Sequence, residues 1–481
     1  MYNQVINDLI ERIKQPLDKG ARMKKLFYGF FIFLILMLSI PVCCAEELTF
    51  DDYTYTVLSD GTAEITGYSG SLSRVLLPET VNDIKVTSIG SSVFAQNEIL
   101  EEVTIPDSVI SIGDHSFGEC TALKKVKLPE KLQRLGDLVF QGNTALTDIT
   151  LPETLVYVGM NPFDRCDLLE SVVLSGENPF YSVAEGILYD RLSNALISYP
   201  AGKQDEKYTV PDWVTAINAA AFSENPFITE ITLSENITDI SGNPFCGCIN
   251  LLNIFVSPFN QNFEFQNNIF LNSQKRELIA YLWNSDKEKF SVPSGILSIG
   301  NEAFYKHMEL TSINLPDTLI YIGDAAFAQS GLTSITFPKN VISLGDSVCS
   351  GCPNLKTVVF PSKLTKIGKY AFSECRSLES VTLPKTLNVI GDGAFFQCEA
   401  LSELKLPENL HFIGDYAFLF CTGLTSVDFP DNLYSIGKGA FYGAENLTAT
   451  VTPGTLAEEW AINSEVPLVH KNINYITTDS I

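Results

Sequence analysis

The side chains best equipped for chemistry in this chain are its 11 cysteines. Cys349 and Cys352 stand as C-x-x-C, the spacing in which one thiolate attacks a disulfide and a second thiol resolves the mixed intermediate. The four histidines, His115, His307, His411 and His470, are scattered, with no H-E-x-x-H pair to grip a metal. Acidic pairs such as Glu101-Glu102 and Glu458-Glu459 could act as acid and base only if one member were desolvated. No G-x-S-x-G elbow, phosphate loop or EF-hand loop is present. The reading is therefore no catalytic residue, no cofactor and no metal. The 57 Asp+Glu against 32 Lys+Arg give a net charge of −25, which lacks the basic footprint that nucleic acid or anionic lipid would require. A hydrophobic share of 45% supplies a core.

What the cysteines mean depends on the frame that carries them. Ile-Gly or a close variant recurs at Gly90, Gly113, Gly136, Gly159, Gly300, Gly323, Gly345, Gly368, Gly391, Gly414 and Gly437, in steps of 23 with one step of 22. Asn218 and Ser241 take the glycine slot inside the long gap, and nearly every slot is followed four residues later by phenylalanine, as at Phe94, Phe222 and Phe441. Seven cysteines fall seven residues after the slot: Cys120, Cys166, Cys248, Cys352, Cys375, Cys398 and Cys421. Asn97, Asn143 and Asn225 stand there in other units. Cys349 fills a phenylalanine slot and Cys352 a ladder slot, so their C-x-x-C spacing follows from the repeat. Ladder thiols read as small buried hydrophobes with a weak donor. Disulfides are the alternative in an exported chain, against which stands the side-by-side geometry of equivalent positions.

Within a unit, Leu123-x-x-Val126-x-Leu128-Pro129 alternates as a short strand ended by proline, and a second apolar pair, Leu132 and Leu135, precedes the glycine turn. One unit cannot bury its own apolar face, but stacked units can. The fold class is a repeat solenoid, mostly β with short turns, its sheet about 65 Å long at strand spacing. The steps from Gly159 to Asn218 and from Ser241 to Gly300 are both 59, so each holds one 36-residue turn, at 175–210 and 257–292. These align on each other, Tyr189 with Leu271 and Tyr199 with Tyr281, as an 82-residue duplication. Residues 186–199 read as a hairpin projecting around 190–194, which makes Tyr189 and Tyr199 candidate contacts. The division is 1–45 N-terminal extension and signal, 46–88 N-terminal cap, 89–447 repeat array, 448–481 C-terminal cap and tail.

The unit L-x-x-V-x-L-P-x-x-L-x-x-I-G-x-x-A-F-x-x-C resembles the BspA-like leucine-rich repeat, over about residues 48–470. Residues 60–68 resemble that family's N-terminal cap and 453–461 its closing segment. The resemblance implies a curved leucine-rich-repeat array with both ends capped, and it links the chain with adhesion and protein binding at bacterial surfaces.

Export follows from the N-terminus. Residues 26–45 are uncharged, preceded by Lys24 and Lys25 and followed by Glu46 and Glu47, with small residues at Cys43 and Ala45. That is the layout of a secretory signal starting at Met23. About 20 uncharged residues also suffice for an uncleaved anchor, and Cys43 leaves a lipidated form as a third alternative. All three place the remainder outside the cell, secreted or at its surface, touching membrane only through this segment if uncleaved. The outward strand positions Thr104, Lys127, Thr150, Val173, Thr209, Thr232 and Phe255 are the remaining candidate contacts, continuing through Val359 to Asp428. The expectation is an exported, non-enzymatic protein with a protein or glycan ligand, an adhesin or interaction scaffold. A structural envelope component and an embedded secreted enzyme are the alternatives.

Overall fold

A computed structural model describes residues 47–282 and 288–471; the expected signal or anchor at 26–45, with Cys43, lies outside them. The chain winds as a β-solenoid with three kinds of side. The apolar-alternating segment of each unit forms a strand of three or four residues that pairs in parallel with the next unit, Val103 opposite Val126 and Val358 opposite Val381. Because partners are one sequence period apart, the register reproduces the repeat. The last residue of the second apolar pair closes a two-residue strand, Ser111–Ile112 beside Arg134–Leu135. The third side is the turn that starts at the glycine slot. Gly113 donates its N–H to the Ile89 carbonyl at 2.8 Å, and a Cβ there would meet Gly90 backbone carbon at 2.8 Å. Only glycine lets successive turns approach so closely. The following aspartate bridges turns: Asp114 Oδ1 accepts the Asp137 N–H at 2.9 Å, and Asp324 does the same for Asp346 at 2.8 Å.

The phenylalanines stack inside the turn. Phe94 and Phe117 lie 5.0 Å apart and nearly parallel, as do Phe395 and Phe418 at 5.2 Å. Each such ring contributes large apolar burial plus a ring–ring term of about 1 kcal/mol. In one unit Cys349 replaces the phenylalanine; there Phe360 turns in from the neighbouring strand to meet Phe372 edge-on at 5.4 Å. At the C-terminal end the helix α1, Leu456–Asn463, buries Ala457 and Ala461, and its Trp460 ring packs on Phe429 and Phe441. At the other end an antiparallel meander opens the array, made of β1 (Leu48–Phe50), β2 (Tyr53–Val57) and β3 (Ala63–Tyr68). Its last strand pairs in parallel with Ile84–Ile89.

The two 36-residue turns build the same device in mid-array. The first consists of β4 (Tyr181–Ala184), β5 (Ile187–Asp190) and β6 (Ala195–Ser198), antiparallel to one another, with β6 then parallel to Ala216–Ile217. The second is β7 (Phe263–Gln266), β8 (Ile269–Asn272) and β9 (Glu277–Tyr281), with β9 parallel to Ser298–Ile299. Both run through the interior. Leu188 and Ile197 belong to a first core that starts at Tyr55, whereas Ile187, Tyr189 and Leu196 belong to a second. Phe270 and Ile279 close that second core, and Ile269, Leu271 and Leu278 open a third that reaches Ala461. The long turns are septa between cores.

This corrects the projecting hairpin. Tyr189 and Tyr199 are 1% and 2% exposed, so neither can meet a partner at the surface. The physical reason is in the runs Ile187-Leu188-Tyr189 and Ala195-Leu196-Ile197, which are apolar without alternation, as a strand buried on both faces must be. Only the tip around Leu192 reaches solvent.

Candidate functional site

The long-strand wall presents one outward row. Lys127, Thr150, Val173, Thr209 and Phe255 are exposed, and Thr104 and Thr232 are half-buried. The ladder sets Thr104 beside Lys127, Thr150 beside Val173, and Thr209 beside Thr232 with Phe255 next to it. The pairing lapses between Lys127 and Thr150 and again after Val173, where the first septum intervenes and it restarts with Lys207–Thr209. Val173, Phe255 and Val359 are each about half exposed, at 46%, 49% and 52%, on strands whose alternate residues are fully inside. Flanking charges pair across the ladder, Lys207 with Glu230 at 3.2 Å and Lys124 with Glu101 at 3.3 Å. Such exposed pairs contribute little to stability.

The thiols face the other way. All seven ladder cysteines are buried and free, and each donates S–H to a backbone carbonyl of the preceding turn. Cys120 reaches Phe94 O at 3.0 Å, Cys248 reaches Phe222 O at 2.9 Å, and Cys375 reaches Cys349 O at 3.1 Å. Burial pushes the Cys248 and Cys421 thiols up to about 12, away from the thiolate that nucleophilic or redox chemistry needs. Where asparagine takes the slot it satisfies several backbone groups at once: Asn225 donates to the carbonyls of Ala201 and Lys203 and accepts from the N–H groups of Phe227 and Ile228. His307 occupies the same slot, seven residues after Gly300, with Nε2 2.7 Å from the Tyr281 carbonyl. Burial lowers its pKa to about 4. The spacing that identifies the cysteines would have placed this histidine too.

A second group of titratable residues escaped sequence reasoning altogether. Outside the septa the turns continue directly from one block to the next. Asn161 donates to the Ala220 carbonyl at 2.6 Å, and Asn243 to the Glu302 carbonyl at 3.0 Å, both 59 residues on. Ser223 donates to the Asp164 carboxylate, as does Gln141, and the Lys306 ammonium pairs with Glu224 across 82 residues. Burial raises the carboxyl groups of Asp164 and Glu302 above the ordinary carboxylate range. Two desolvated acids could in principle shuttle protons. A half-open hollow beside Glu302 and His307 holds about 20 Å³, room for about one water. Their signal is the 59-residue offset between slot-equivalent positions. Among the described residues no group of three His, Cys, Asp or Glu converges as metal ligands, and no helix is long and apolar enough to cross a membrane.

No curated protein matches the chain. Among solved structures it is similar to a leucine-rich repeat protein of Eubacterium ventriosum, at 22% identity over 85% of this chain and 97% of that one, TM-score 0.45. It is also similar to one of Bacteroides ovatus, at 22% over 88% and 100%, TM-score 0.37, and to a leucine-rich cell surface protein of Faecalibacterium prausnitzii, at 22% over 86% and 97%, TM-score 0.34. The BspA type leucine rich repeat region matches residues 87–190, 202–278, 280–366 and 343–460. With the glycine turns, phenylalanine stack and cysteine ladder all in place over that span, the chain belongs to the BspA-type leucine-rich repeat family.

Proposed function

We propose that the protein is an exported, non-enzymatic binding protein that acts at a cell surface, holding a protein or glycan ligand on its long-strand wall. The observation that carries this reading is the outward row itself. Side chains at fixed spacing sit on a hydrogen-bonded backbone, and Val173, Phe255 and Val359 spend about half their surface on solvent there. A rigid scaffold that displays a row of variable residues is suited to recognition. The chemistry-bearing groups support the same reading: thiols and raised carboxyls lie inside the turns, beside a space that admits one water.

The test is a binding screen of the exported protein against extracellular matrix proteins, mucins and envelope polymers, followed by the triple variant Val173→Lys, Phe255→Lys, Val359→Lys. These exposed positions should tolerate lysine with a melting temperature within a few degrees of the parent. Affinity for the ligand found should fall at least tenfold. Unchanged affinity in a folded triple variant would remove the wall from the reading.

A further inference from the structure

The one short unit of the array changes the wall. From Gly323 to Gly345 the step is 22 rather than 23. The missing residue lies just after Ser330, where ordinary units continue for three residues to an inward leucine and this one needs only two, Gly331 and Leu332. The shortcut presses the chain onto the preceding turn: a Cβ on Gly331 would lie 1.8 Å from the Met308 carbonyl oxygen, and Gly331 N–H bonds to the His307 carbonyl at 3.0 Å. The ladder lapses at this point, as it also does between Lys125–Lys127 and Asp148–Leu151 at an ordinary step. β10 (Ser312–Asn314) pairs with Lys289–Ser291 on one side, and β11 (Ser334–Thr336) pairs with Thr357–Val359 on the other, but β10 and β11 do not pair with each other. A cleft of about 530 Å³ opens on the wall at this seam, within the range of small-ligand sites. The inward residues Ile313 and Leu315 beside it are half-buried, whereas Ile335 and Val358 on the ladder beyond are closed off.

The chemistry around the cleft is unusual for this protein. Of the seven long strands between residues 102 and 256, five carry an outward charge, such as Glu102, Lys127 and Asp148. The two strands at the seam present Ser312, Asn314, Ser334 and Thr336. The two that follow present Thr357, Val359, Ser380 and Thr382. Four consecutive strands of a chain with net charge −25 thus carry no outward charge, and seven of those eight positions bear a hydroxyl or an amide. Charges at the margin pair off, Asp317 with Lys339 at 3.0 Å and Lys356 with Glu379 at 3.5 Å.

We infer that this cleft is a binding site for a neutral glycan, a hexose ring or chain end lying on the wall across β10 and β11. This rests on the wall being the binding surface and names the ligand class and the place. A pyranose offers hydroxyls around its rim and C–H groups on its faces. Serine, threonine and asparagine can bond the rim, and Val359 offers an apolar contact for a face. Among the residues lining the cleft the one cation, Lys339, is already paired with Asp317, so a uronate or sulfated sugar finds no free cation in the lining; Lys289 stands outside it, on the strand beside β10. A peptide strand cannot enter the seam as an added ladder rung: it would need roughly 9.6 Å between its two neighbours, and β10 and β11 still approach within 8 Å at their Cα atoms.

The test uses the whole exported protein and isothermal titration with neutral glucan, mannan and galactan tetrasaccharides, beside an oligogalacturonate of equal length. At least one neutral tetrasaccharide should bind, at least tenfold more tightly than the uronate. Thr336→Glu, which places a charge in the cleft, should weaken it at least tenfold. Leu192→Glu, which places the same charge at the exposed tip of the first septum and off the wall, should leave it unchanged. Insertion of one residue after Gly331, restoring the 23-residue step, should also abolish binding if the protein folds; Thr336→Glu carries the test if it does not. Equal loss in Thr336→Glu and Leu192→Glu, no loss in Thr336→Glu, or equal affinity for the uronate would overturn the inference. If a protein from the screen binds the wall and no neutral sugar does, this inference fails and the binding reading stands. If neither binds, both fail.

Discussion

Leu188 and Tyr189 are consecutive in the chain and buried in different cores, the leucine on the N-terminal side of the septum and the tyrosine on the C-terminal side, where its hydroxyl meets that of Tyr208 at 2.7 Å. Truncating either should cost about 2–5 kcal/mol, and the two losses should fall in different places. Leu188→Ala should speed amide exchange around Leu146 and Val172, and Tyr189→Ala around Ile217 and Ile231. Hydrogen-exchange mass spectrometry reads this directly. Identical exchange maps for the two variants would show that the septum does not divide the interior.

The nine buried cysteines are expected to be unreactive in the folded protein. Burial holds Cys120 up at about 11 and Cys248 at about 12, so their thiolate fraction at neutral pH is negligible; hydrogen bonds with Cys349 and Cys375 push Cys352 the other way, and complete burial is what keeps reagent from it. An aromatic disulfide reagent should label none of them on the timescale of minutes, and all nine after denaturation without reductant. Recovery of a Cys375 to Cys398 cross-link in the native protein would contradict the ladder.

His307 gives the array a pH dependence of known sign. Its folded pKa of about 4 lies below the unfolded value of about 6.5, so the unfolded chain takes up the proton first. Stability is then full above about pH 6.5, falls as pH drops to about 4, and loses about 3 kcal/mol over that window. His307→Asn installs the side chain that other units use at this slot and should flatten that slope. Asp164 and Glu302 are raised and work in the opposite sense, losing stability as pH rises through their titration. They are present in both proteins and cancel in the difference. Parallel melting curves of parent and His307→Asn between pH 7 and 4 would contradict this.

Deleting residues 175–210 joins Leu174 to Pro211 and removes the first septum. The turns on either side already bond to each other, through Asn161 to the Ala220 carbonyl and Ser223 to Asp164. The product should therefore remain a cooperatively melting solenoid in which the first two cores merge. The deletion removes one outward position of the wall, Thr209, and leaves Val173, Phe255 and Val359 in place, so ligand affinity should persist within threefold. Circular dichroism and a thermal melt decide the first point and titration the second; an unfolded product would make the septum a required template.

Much of this was legible in the sequence because a solenoid writes its contacts at one fixed spacing. Phe94 predicts Phe117, and Cys398 predicts Cys421, without knowledge of the whole. The septa were harder. Tyr199 lies 23 residues before Phe222 and Tyr281 lies 23 before Phe304, and both tyrosines take the ring-stack position, 5.1 Å and 5.2 Å from those phenylalanines. That offset was the available signal, masked by reading the apolar runs around it as a hairpin with a free face. Asn178 and Asn260, 82 residues apart, each accept two backbone N–H groups where the chain enters a septum, and isolated asparagines carry no such message. The cleft lies beside the one short step, before Leu332, and which neighbouring strands leave room on the wall there is a three-dimensional fact.

The antiparallel sheet that opens each stretch of repeats also bears on how such a chain can lengthen. An array with one cap at each end can gain only units that fit between two existing neighbours. A block that starts with its own closing sheet brings a finished boundary with it, so a recombination event between equivalent points, such as Tyr199 and Tyr281, yields a product with no raw apolar end. The 82-residue repeat is the unit such an exchange would add or remove, and descendants of this sequence could differ in length by whole blocks while every intermediate remains foldable.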